Sequence, residues 1–115
     1  MDPESLSELR ARLRDAAKTL RSAPKLDDES RGAVAELLAE LGDALQTSTL
    51  PAGEVAHLSE CTTHLAESLR NDRDRGILQG ARDRFEKAFE TVESRAPVAV
   101  GIARQFVEIL ANLGI

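Results

Sequence analysis

Aromatic residues are nearly missing from this 115-residue chain, which has three Phe, no Tyr and no Trp. That leaves no ladder of ring faces on which bases could stack, and so weighs against a nucleic-acid partner. There is a single cysteine, Cys61, which excludes an intrachain disulfide. A lone thiol fits a reducing compartment, so we expect a cytoplasmic protein. No apolar run approaches the roughly 18 residues a membrane-spanning helix needs. The opening MDPESLSELR is acidic and has no apolar stretch, unlike a secretory leader. Cations are in deficit, with 15 Lys and Arg against 20 Asp and Glu. A net charge of −5 repels phosphate backbones and anionic membrane surfaces.

What is present is helix-forming. Ala (17) and Leu (16) dominate, and both lose little conformational freedom in a helix. Leu, Ile, Val and Phe together number 29, enough for a core and above the range of disordered chains. The length suits one domain, residues 1–115.

Spacings of three and four residues mark the helices. Leu6, Leu9, Leu13, Ala16 and Leu20 form one stripe, opened by Asp2-Pro3 and closed before Pro24. Asp27 caps a second helix that carries Val34, Leu37, Leu38, Leu41 and Leu45. The short connection between the two predicts an αα-hairpin. Pro51 suits the start of a third, with Val55, Leu58, Thr62, Leu65 and Leu69. The alternating charges from Arg70 to Arg75 follow, and then a stripe of Leu78, Ala81, Phe85, Ala88, Phe89 and Val92. This stripe is rotated by roughly 145° from the one before, at about 100° per residue. The phase predicts a break or bend within Asn71–Gly76, or one long helix whose ends meet different partners. Gly76 and Gly80 share a face, as a site of close helix approach or as part of that break.

A last helix begins at Ala96-Pro97. It has Val98, Ala99, Ile102, Phe106, Ile109, Leu110 and Leu113 on one face, with Val100 and Val107 on another. Its end reads as a Schellman turn, with Gly114 left-handed and Ile115 folding back on Leu110. The expected fold is all-α, an antiparallel bundle of four to five amphipathic helices near 3–22, 28–47, 52–70, 76–95 and 97–113.

Leu26-Asp27-Asp28-Glu29-Ser30, Phe89-Glu90, Pro97 and the closing Ile109-Leu110-Ala111-Asn112-Leu113-Gly114-Ile115 resemble a family of short bacterial helical proteins known only as a domain of unknown function. The resemblance covers about the first fifty and last forty residues, with an insertion near 51–75. It implies the helical fold and brings no activity or binding residue with it.

Chemistry-bearing residues are few. His57, Cys61 and His64, spaced by four and three, lie within about 60° on one helix face, away from the Val55/Leu65 stripe. Imidazole and thiolate are zinc and copper ligands, and i, i+4 is a spacing that helical metal sites use. A solvated face is the alternative reading. No catalytic constellation is visible and no cofactor is expected. Arg10, Arg14, Lys18 and Arg21 flank the first stripe, as an acid-binding strip or as intramolecular partners of the acidic second helix. Glu29, Glu36, Glu40 and Asp43 mark that helix's outer face. Val100, Val107 and Ile115 are the candidate interface residues, unless another helix of the same chain covers them.

The functional expectation is a non-enzymatic protein–protein interaction or scaffolding module. It would self-associate as a homodimer, or hold an unknown protein, through the last helix or the 51–75 segment. No nucleic acid, membrane or small-molecule substrate is expected. One alternative is a metal- or thiol-dependent role at His57, Cys61 and His64. Another is an acidic inhibitor or immunity-type binder of a basic protein.

Overall fold

In the computed structural model, the described residues form five helices: α1 Pro3–Arg21, α2 Asp28–Gln46, α3 Ala52–Asn71, α4 Arg75–Glu90 and α5 Pro97–Asn112. The structure describes residues 3–22, 26–47, 49–71 and 75–114, the side chains of 3–5, 71 and 75 excepted. The expected cap at Asp2 and the return of Ile115 onto Leu110 lie outside the described residues.

The local signals explain the boundaries. Asp27 accepts a 2.7 Å hydrogen bond from the Ser30 backbone N–H and so satisfies one free donor at the start of α2. Pro51 offers its carbonyl to the N–H groups of Glu54 and Val55 at the start of α3. Gly114 takes φ +80°, and its N–H reaches the Ala111 carbonyl, half of the Schellman pair. The phase break is real: α3 ends at Asn71 and α4 begins at Arg75 as a separate helix. In contrast, α4 stops five residues short of its expected end. The N–H groups of Val92, Glu93 and Arg95 bond three residues back, and Thr91 Oγ1 donates to the Ala88 carbonyl. The tightened turn carries Val92 and Ala96 into the core.

The helices close into a ring. α1 packs on α2 and α3, α2 on α5, α5 on α4, and α4 on α3, and no other pair touches among the described residues. Each helix turns its stripe to the ring's axis. Leu9, Leu13, Leu20, Leu38, Leu41, Leu45, Leu58 and Leu65 are fully buried there. All three phenylalanines join them, Phe85 lying 4.8 Å from Phe89 and 5.5 Å from Phe106 between ring centres.

Helix directions alternate except at one seam. Arg10 of α1 meets Asp43 of α2, and Ala44 near the end of α2 lines one depression with Val98 at the start of α5. Those pairs are antiparallel. Arg70 near the end of α3, however, donates to Thr19 near the end of α1, so α1 and α3 run parallel. In the connection from α2 to α3, Thr49 borders the start of α5 and Leu50 is buried.

Two sequence readings change. Val100 and Val107 are buried within this one chain, not displayed on a second surface, because α5 sits between α2 and α4 and is covered on both sides. Instead Val98, placed on the core face by its spacing, is 68% exposed. Gly80 is exposed, and a Cβ there would meet nothing within 4 Å, so it serves no close helix approach.

Gly42 is the informative glycine. It is buried mid-helix, and a Cβ there would meet Leu13 Cδ1 at 3.9 Å and Arg10 Cγ at 4.0 Å, ordinary contact distances. Gly42→Ala should therefore raise the unfolding free energy by about 1 kcal/mol in urea titrations. A loss of stability would mean that the α1/α2 seam is tighter than these distances. The Asp27 carboxyl is held below its usual range, chiefly by the Ser30 backbone N–H and then by the Ser30 side chain. A lowered folded-state pKa gives stability that is present above about pH 4, the unfolded value, and lost as pH falls through the folded value. Asp27→Ala should accordingly lower Tm by a few degrees at neutral pH, with the gap narrowing in acid. A gap that is the same at every pH would contradict the cap's charge dependence.

Candidate functional site

α3 presents His57, Cys61 and His64 because four- and three-residue steps keep them on one side of the helix. That side does not simply face solvent. α1 and α4 flank α3, and an open groove of about 750 Å³ runs along it, lined by Glu8 and Arg12 from α1, the three candidate ligands, and Arg84 from α4. His57 is exposed, while Cys61 and His64 are half-buried and Cys61 packs against the core.

The structure brings two of the three together. Cys61 Sγ lies 3.8 Å from His57 Nε2. When the imidazole carries its proton on Nδ1, the thiol donates to Nε2. His64 does not complete a set, and among the described residues no three His, Cys, Asp or Glu side chains converge to hold a metal ion. The reason is axial. Seven residues separate His57 from His64, a rise of about 10 Å, while zinc holds nitrogen at about 2 Å.

The thiol is also poorly placed as a nucleophile. Burial pushes its pKa up, the neighbouring Glu60 carboxylate pushes the same way, and Arg84 opposes them. The protonated form therefore prevails at neutral pH, and the thiolate is the reactive species. Among the described residues no carboxylate holds the His57 ring in place, so the base–orienter pair of nucleophilic catalysis is missing.

Three hydroxyls of α3 turn inward on the helix itself. Thr62, fully buried, donates to the Leu58 carbonyl at 2.7 Å, and Thr63 and Ser68 donate to carbonyls four residues back. These bonds satisfy those three hydroxyls, whereas the buried Ser59 hydroxyl, on the wall of the groove, finds no partner among the described residues.

One cation of the basic flank of α1 is paired inside the chain. Arg10 reaches Asp43 of α2 at 3.8 Å, and Arg10 and Arg14 border a small cleft with Asp43. Two long-range clasps were invisible in the sequence. Arg95 reaches Glu54 at 3.0 Å, and Arg104 meets Glu93 at 3.0 Å and Glu90 at 3.9 Å. Each is exposed and screened by solvent, and so adds little to stability.

Cys61 in the folded chain should react with iodoacetamide at neutral pH more slowly than in the urea-unfolded chain, and the rate should rise as pH climbs. Zinc titration followed by native mass spectrometry should show no stoichiometric binding tighter than about micromolar, the range a two-ligand pair supports. Fast alkylation when folded, or tight 1:1 zinc, would restore the site.

No curated protein and no solved structure matches the chain. A family model does: the domain of unknown function DUF4404 matches residues 34–115. The matched stretch starts inside α2, runs through 51–75, which read from the sequence as an insertion, and ends with the Leu-Ala-Asn-Leu-Gly-Ile closure. It leaves α1 outside. With most of α2 and all of α3, α4 and α5 within that match, the chain belongs to the DUF4404 family of helical domains.

Proposed function

We propose that this chain is a non-enzymatic protein–protein interaction module working in the reducing interior of a bacterial cell. The observation that carries this reading is an apolar strip along the α2/α5 seam. Leu37 and Ala44 of α2, with Ile102 and Ile109 of α5, are only half-buried against the core. Val98 and Leu113 extend the strip at its two ends, 68% and 37% exposed. Scattered surface leucines are ordinary, but a continuous strip rimmed by polar residues marks a contact surface. Its occupant is a second copy or another protein. The metal-dependent alternative has less support, since only His57 and Cys61 approach each other. No helix among the described residues is long and apolar enough to cross a membrane.

A photo-crosslinking amino acid placed at Val98 or Leu113 in the native cell should give discrete crosslinked products, while the same group at His57, on the groove side, should not. Absence of products from the two strip positions, or equal products from all three, would sink the reading. Mass spectrometry of the products separates a homodimer from a hetero-complex.

A further inference from the structure

We infer that the α2/α5 strip receives a basic amphipathic helix from a partner protein, with leucine-like residues on one face and lysine or arginine along its flanks. This deepens the reading above and rests on it.

The geometry sets the shape of the occupant. α2 and α5 run antiparallel with Ala44 beside Val98. Both rise about 1.5 Å per residue, so Leu37 lies level with Gln105 and Ala33 with Ile109. From Val98 to Leu113 the strip is roughly 22 Å long, the length of a helix of four turns. A two-helix seam with an apolar floor is the groove into which a third helix packs.

The charge sets its chemistry. Glu29, Glu36 and Glu40 stand exposed along the α2 side, and Glu108 stands on α5. Among the described residues no ion pair engages any of the four. The nearby cations are committed elsewhere, Arg95 to Glu54 and Arg104 to Glu93 and Glu90. A second copy would bring four glutamates against four, and like-charge juxtaposition of this kind works against pairing. A basic partner would gain at each one.

The chain already solves this problem once. α1 carries five cations against three acids beside its leucine stripe, and α2 carries five acids against one cation. α1 lies along one flank of α2 with Arg10 facing Asp43. The other flank of α2, shared with α5, offers the same apolar floor and carboxylate rim with no helix over it.

The test uses the full chain and a synthetic peptide of about 18 residues, with leucine on one helical face and lysine on the flanks. Two control peptides carry glutamate in place of lysine, or the same residues scrambled. The amphipathic lysine peptide should shift the amide resonances of Ala33, Leu37, Val98, Ile102, Ile109 and Leu113. Binding should weaken roughly tenfold or more in a Glu36→Lys, Glu40→Lys double variant, and comparably in a Val98→Asp, Leu113→Asp variant. Circular dichroism checks that each variant folds; all four positions are exposed. Equal binding of the scrambled peptide, shifts confined to another face, or no binding would overturn the inference. If the peptide fails while Val98 and Leu113 crosslink to a second copy, the strip remains a contact surface and only the basic-helix assignment falls.

Discussion

Five helices in a closed ring cannot alternate direction all the way round. One neighbouring pair must run the same way, and here it is α1 and α3. Much of the architecture follows from that constraint. The chain joins α1 to α3 through α2, and α2 and α3 do not touch among the described residues, so the short connection between them must bridge two separated helices. Leu50 is buried on the way. Thr19 and Arg70 meet at one end of the parallel pair, and Glu8 and Arg12 border the groove along it.

The same ring decides which surfaces are left over. Every helix has two neighbours and spends its stripe on a common core, so the surface features described above lie along the outer seams. The α3 groove gathers His57, Cys61 and Arg84 but lacks a converging third ligand. The α2/α5 seam is apolar and rimmed with acid. The second is physically simpler to use, because shape and charge suffice and no proton or metal need be placed.

The helices were readable from the sequence because their signals are local. Asp27, Pro51, Pro97 and Gly114 act within one turn of themselves, and the stripes on α1 and α4 are clean enough to fix their inward faces. What the sequence left unsettled has two causes, direction around a helix and rise along it. Val98 has the right spacing for the core stripe of α5, yet the inward direction is set by where α2 and α4 lie, which periodicity does not encode. The choice between the two readings of Val100 and Val107 was hidden for the same reason: α5 is flanked on both sides, so its apolar arc is wide and another helix of the chain covers both valines. The His57/Cys61/His64 reading placed residues correctly around the helix but neglected the rise along it. Arg84, Arg95 and Arg104 meet their neighbours only through tertiary packing, so no sequence signal announced them.

The ring also sets an order in time. Three of its seams join helices adjacent in the chain, and these contacts are local and quick to form. The α2/α5 seam is different, since the whole of α3 and α4 lies between its two sides. As the chain is synthesised from its N-terminus, α1 and α2 can pair early. The outer flank of α2, with Leu37 and its glutamates, then stands bare until α5 emerges. Those carboxylates carry like charge from chain to chain, so the acidic rim works against association of unfinished molecules during that interval.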